Sequence, residues 1–232
     1  MPLELQVLAN EFMTETIRRL VLALPEDAPT YHPGQYLTLH FGDASYPFSI
    51  ANPPGDDHLE LHIAATPNSR DSDHIEQSLN LEPTAIPVSF PLGDCFLAAC
   101  PEKPVILVAA ATGITQMKCL NDWLHAREFA QAIHLYWGVR EPTELYLHNE
   151  LEALARIDGF TYTPVVSDNI RQWSGRTGLV GDAVTHDIQD LNDYLVFVSG
   201  SPGMVYGTLD QFIASGFDAK NMRSDVFSYA PR

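Results

Sequence analysis

The sequence predicts two domains, an N-terminal antiparallel β-barrel followed by a C-terminal α/β domain built on a parallel sheet. Short β-type runs divided by Pro, Gly and Asp clusters fill residues 3 to about 97. After Pro101 and Pro104, continuous apolar runs alternate with amphipathic stretches, as in a sheet covered on both faces. The later runs start about thirty residues apart, the length of a βαβ unit. These observations place the boundary near residue 100, giving domains 1–100 and 101–232. A chain of 232 residues is long enough for two cores.

Taken in order, Thr16–Leu24 reads as a strand stopped by Pro25-Glu26-Asp27-Ala28-Pro29. Tyr36–Phe41 follows a turn at His32-Pro33-Gly34. Leu59-Glu60-Leu61-His62-Ile63 alternates with period two, the pattern of a half-exposed strand. A short helix is expected between Ser72 and Leu79, then a strand over Ala85–Phe90. Val105–Ala110 is a buried strand leading to a helix near Thr115–Phe129, with Met117, Leu120 and Leu124 on one face. Ile133–Trp137 precedes a helix around Thr143–Arg156, and Tyr162–Val166 precedes a loop and short helix reaching about His186. Tyr194–Ser199, a helix near Met204–Ser215 and a short strand near Arg223–Phe227 complete the pattern.

Thirteen Lys and Arg against thirty Asp and Glu give a net charge of −17, which repels phosphate backbones and anionic membranes. Neither nucleic acid nor a membrane is an expected partner. The first residues lack the basic and apolar regions of a signal peptide, and no apolar run approaches a membrane span, so the expected location is cytoplasmic. Cys95, Cys100 and Cys119 form neither paired zinc motifs nor an iron–sulfur cluster motif; no metal is expected, and the thiols read as small buried or inert groups.

Two segments carry the pattern of a ligand-binding sheet edge. Val105–Ala110 runs into Ala111-Thr112-Gly113-Ile114-Thr115, and Val196–Ser199 runs into Gly200-Ser201-Pro202-Gly203-Met204. In a parallel sheet such strand-to-helix junctions lie at the carboxyl edge, where a helix N-terminus holds an anion such as pyrophosphate. A tight turn alone also demands small residues, so each junction has a purely structural reading as well.

Eight segments then occur in one family's order: Pro33-Gly34-Gln35-Tyr36, Tyr46-Pro47-Phe48-Ser49, Glu60-Leu61-His62-Ile63, Ala111-Thr112-Gly113, Tyr136-Trp137-Gly138-Val139-Arg140, Leu145-Tyr146-Leu147, Gly175-Arg176-Thr177-Gly178 and Ser199–Met204. With them the chain resembles the ferredoxin-NADP reductase superfamily, in its NAD(P)H:flavin reductase branch, nearly end to end. The resemblance implies a flavin-binding barrel, an NAD(P)H-binding α/β domain, and hydride transfer from NADH or NADPH to FMN, FAD or riboflavin, held or taken as substrate. Reduced flavin would then leave for another acceptor. Two other readings stand beside this: a reductase subunit passing electrons directly to an oxygenase or similar protein, and a non-catalytic flavin- or dinucleotide-binding module.

Carried onto this sequence, the resemblance assigns flavin contacts to Tyr46, Pro47, Phe48, Ser49, His62, Ile63, Ala64 and Thr66. Ser49 takes the catalytic position beside the hydride-accepting ring nitrogen, where a hydroxyl both donates and accepts. His62 also has a plain reading as a surface residue on an alternating strand. Dinucleotide contacts fall on Ala111, Thr112, Gly113, Arg140, Asp168, Gly200, Ser201, Pro202 and Met204. Arg140 alternatively forms a surface salt bridge with Glu141 or Glu144. Asp168 favours NADH by repelling a 2′-phosphate, whereas Arg171 and Arg176 favour NADPH. There are two departures from the family pattern. Tyr46 stands where Arg usually meets the flavin phosphate, which favours exchangeable flavin. Ala110-Ala111 replaces Gly-Gly, which is expected to crowd the pyrophosphate loop. At the C-terminus, an aromatic in Phe227–Arg232 either covers the flavin or packs with the terminal strand.

Overall fold

Alternating apolar positions fold into strands throughout the first hundred residues of the computed structural model, which describes residues 2–168 and 170–232. The strands are β1 (Leu3–Phe12), β2 (Ile17–Ala23), β3 (Tyr36–Phe41), β4 (Ala44–Ser49), β5 (His58–Ala64) and β6 (Ala85–Leu92). Among the described residues they form one sheet of order β4-β3-β6-β1-β2-β5 with antiparallel neighbours. A bulge between Val7 and Ala9 lets β1 pair first with β6 and then with β2. The sheet curls until its ends meet, where the Ala51 N–H donates to Glu60 O at 2.8 Å. Leu5, Leu20, Leu22, Leu37, Leu39, Leu59, Leu61 and Ile63 fill the inside. Pro47 is accommodated because β4 is an end strand of the sheet, where a missing N–H removes no central ladder bond. Helix α1 (Arg70–Asn80) is capped by Ser69, whose side chain accepts from the Ser72 N–H, and it sends Ile75 and Leu79 into this core.

The second half holds β7 (Val105–Ala110), α2 (Ile114–His125), β8 (Ile133–Val139), α3 (His148–Leu154), β9 (Phe160–Val166), β10 (Arg176–Thr177), α4 (Val180–Asp187), β11 (Leu195–Ser199), α5 (Pro202–Ala214), β12 (Met222–Arg223) and α6 (Val226–Tyr229). The strands pair in parallel in the order β10-β9-β8-β7-β11-β12. Ile106, Val108, Val165, Val196 and Val198 meet Val184, Val205 and Phe212 of α4 and α5 in one apolar cluster. Residues Met1–Ala98 with Lys118–Trp123 form one compact unit, and Ala99–Met117 with Leu124–Arg232 the other. Lys118–Trp123 joins the first unit partly through Cys119, whose thiol donates to Asn52 O at 3.0 Å.

Several expectations change. The helix read over residues 143–156 is a 3₁₀ turn at Pro142–Glu144 followed by α3, because Leu145 leaves helical backbone at φ −80°, ψ 58°. Leu145 and Leu147 are both buried, so packing overrides the local pattern. The terminal strand shrinks to β12, and Phe227 sits in α6 with its ring 5.6 Å from that of Tyr206. The Tyr206 hydroxyl donates to Ala230 O, and Arg232 lies over the Tyr206 ring, so the C-terminus packs along α5. Cys95 and Cys119 are buried as expected, whereas Cys100 is exposed. Among the described residues, no helix is long and apolar enough to cross a membrane.

Candidate functional site

Strand β7 comes first in the second half, yet it lies inside the sheet, with β8 and β9 on one side and β11 and β12 on the other. The gap between β7 and β11 is therefore the topological switch point, and ligands of open α/β sheets bind beyond the carboxyl ends of the strands there. Both small-residue junctions noted in the sequence end at this gap. A methyl group on Gly113 would stand 2.3 Å from Ser199 O, and one on Gly200 would stand 3.1 Å from Ala110 Cβ. The fold thus brings Gly113 against Ser199 and Ala110 against Gly200, although the two segments are far apart in sequence.

The helices that start here carry no acidic residue in their own first turns, and Asp225, the carboxylate that reaches the first turn of α2, is engaged by Gln116 Nε2 at 2.7 Å. Carboxylates occupy the first turns of α1, α3 and α4, but α2 and α5 have none, in a chain of net charge −17. Ser201 caps α5 by accepting from the Met204 N–H, and Pro202 opens it with a pre-set φ. Two helix N-termini without a carboxylate in their own first turns make a place for an anionic ligand.

Ala111 adopts φ 49°, in the left-handed region where an L-residue costs about 1–2 kcal/mol. Its carbonyl is held twice, by the Ile114 N–H and by the indole N–H of the fully buried Trp137 at 2.9 Å. A buried hydrogen bond contributes about 1 kcal/mol net, enough to offset most of that strain. The consequence of Ala-Ala for Gly-Gly is thus backbone strain at Ala111, beyond the crowding expected from its methyl group; Ala110 keeps extended backbone.

Arg140 and Asp168 lie just past β8 and β9. The Asp168 N–H donates to Arg140 O at 2.7 Å, and Arg140 Nε stands 3.7 Å from Asp168 Oδ2. The side-chain partner is thus Asp168, while Glu144 accepts from the Arg140 main-chain N–H. Both side chains are well exposed, so their attraction is weak and either is free to meet a ligand. Arg176 is instead paired with Asp187.

In the barrel, the flavin-assigned residues cluster where the end strands meet. Tyr46 and Phe48 point to the core side of β4, and the Tyr46 hydroxyl bonds His74 Nδ1 of α1 at 2.8 Å, with Phe41 beside them. Pro47 is exposed; half-buried Ser49 ends β4, opposite Tyr36. On β5, Ile63 faces the core, so only its main chain is offered to a ligand. Ala64 closes β5 opposite Ile17, and exposed Thr66 donates its N–H to Ser72 Oγ.

His62 corrects the surface reading, being 4% exposed. Its Nε2 is 2.9 Å from Glu60 Oε1, and Glu60 also takes Arg19 at 2.6 Å. Burial alone would raise the Glu60 pKa, but hydrogen bonds from His62 and Arg19 and their charges bring it down to about 2. Sequence reading placed Glu60 and Trp137 in family segments without giving either a role, and passed over Arg19 and His74. The one available signal was Glu60 two residues from His62, on the same face of a strand.

The oxidoreductase NAD-binding domain profile matches residues 107–210, which include both lips of the switch point. A probable flavin reductase of Photobacterium leiognathi is 31% identical, with 90% of this chain and 92% of that protein covered. The chain belongs to the flavin reductase branch of the ferredoxin-NADP reductase superfamily. Another member, an NAD(P)H-flavin reductase of Vibrio harveyi, is 30% identical over 90% of this chain and 91% of that protein. The fold of this flavin reductase relative also matches the crystal structure of an Amycolatopsis cytochrome P450 reductase, with TM-score 0.86 and 25% identity over 96% of this chain and 69% of that one.

Proposed function

We propose that the chain reduces flavin with NAD(P)H and uses flavin as an exchangeable substrate. The observation that carries this is the switch point between β7 and β11, where two helices without first-turn carboxylates meet over small residues. Thr112, Gly113, Gly200 and Ser201 would hold the anionic part of the dinucleotide there, and Arg140 and Asp168 would flank its far end. In the barrel, Phe48, Ser49 and His62 would meet the flavin ring. At the phosphate end, Tyr46 is tied to His74, and the first turn of α1 carries Asp71 and Asp73, which disfavours a tightly held phosphate. Nicotinamide supplies hydride and flavin accepts it. The chain's own contribution is positioning, which makes the encounter effectively unimolecular.

The test follows NADH and NADPH oxidation by absorbance with riboflavin, FMN or FAD added in turn. Turnover that requires added flavin and saturates with it is the expected result. Binding of flavin without turnover for any pair would refute the reading. A second reading, electron transfer to a partner protein, is favoured by the likeness to the P450 reductase. It predicts stoichiometric flavin retained through purification.

A further inference from the structure

We infer that Trp137 is a positioning residue for dinucleotide binding, acting as a latch that sets which way the Ala111–Thr112 peptide faces. The inference rests on the proposed nucleotide site and adds a residue with no assigned role to it. Trp137 lies in β8, two residues before its end, and is fully buried, with the Tyr146 ring edge-on at 5.4 Å. Its indole N–H reaches a single main-chain oxygen, Ala111 O, at 2.9 Å. The Ala111–Thr112 peptide is trans, so its carbonyl and its N–H point in opposite directions. With the carbonyl held by the Trp137 indole and the Ile114 N–H, the Thr112 N–H points the opposite way, away from Trp137.

The latch matters because this chain has Ala at position 111. At φ 49° an alanine is strained, and the unlatched turn would relax to negative φ and re-aim the peptide. A carbonyl in place of the N–H would then oppose an anionic ligand where a donor is needed. Glycine at this position would hold the same turn without the indole. The coupling between positions 111 and 137 is therefore the signature of the latch; a residue that merely fills space shows no such dependence on its partner's backbone freedom.

The experiment measures the NADH dissociation constant by fluorescence titration for the native chain, Trp137→Phe, Ala111→Gly and the double variant, with thermal midpoints alongside. Trp137→Phe is expected to weaken NADH binding by about tenfold, the loss of one N–H directed at a charged group. In the Ala111→Gly background the same change should cost about threefold or less. At saturating NADH, kcat should move far less than the dissociation constant. Unchanged binding in folded Trp137→Phe, or an equal loss on both backgrounds, overturns the latch and leaves Trp137 as core packing. If the native chain binds no NADH, the nucleotide site itself falls, and the latch with it. If Trp137→Phe does not fold, folding of the double variant alone supports the coupling. If neither folds, the Trp137 indole resonance in the native chain decides. Slower exchange of its proton with D₂O on adding NADH supports the latch, and no change overturns it.

Discussion

Gly113→Ala and Gly200→Ala should separate in severity although both add one methyl group at the same crevice. At Gly113 the new Cβ would lie 2.3 Å from Ser199 O and 2.7 Å from Ser199 C, both main-chain atoms of β11. Neither can turn aside, so the β7 turn must move about 1 Å from the β11 end, an overpacking cost of about 3 kcal/mol. At Gly200 the nearest atoms are Met204 Sδ at 3.0 Å, the end of a flexible side chain, and Ala110 Cβ at 3.1 Å. Shifts of a few tenths of an ångström suffice there, at about 1 kcal/mol or less. Urea unfolding followed by tryptophan fluorescence should show a midpoint lower by about 1 M or more for Gly113→Ala and a small change for Gly200→Ala. A displacement of about 1 Å at the lip should also reduce kcat/KM for NADH by about a hundredfold. Equal midpoints and equal kinetics for the two variants would refute the claim that the lips are in contact through Gly113.

Glu60→Gln should remove about 3 kcal/mol of stability at neutral pH, given a native pKa of about 2 against 4.5 for a free carboxylate. The pKa is depressed, so the native advantage should shrink as pH falls from about 4.5 to about 2 and vanish below; a pH-independent difference in unfolding curves would count against the ion-pair account. Ser49→Ala should lower flavin affinity or turnover while leaving the unfolding midpoint in place, and unchanged kinetics would remove Ser49 from the site. Of the three cysteines, Cys100 alone should react rapidly with a thiol reagent in the native protein. Cys95 is buried, and burial pushes the Cys119 thiol up to about 12, so both should react only on unfolding, as mass spectrometry of labelled peptides can check.

The sequence by itself determined the two architectures, the bounds of β3 and β7, and the two small-residue junctions that meet between β7 and β11. Those features rest on local signals: an apolar run closed by Gly or Pro, or a strand giving way to small residues before a helix. Tertiary structure decided what depends on distant partners. Glu60 holds its charge because Arg19, 41 residues before it, stands on the neighbouring strand and, with His62, bonds its carboxylate. The handedness of Ala111 is supported by an indole 26 residues downstream. Arg140 chose Asp168 over its sequence neighbours because β8 and β9 run side by side in parallel and end together. The helix read through Leu145 broke because burying both Leu145 and Leu147 outweighed a few tenths of a kcal/mol per residue of helix propensity. Periodicity records which face of an element is apolar, whereas pairing, backbone strain and ion-pair choice arise only when strands from different parts of the chain lie together.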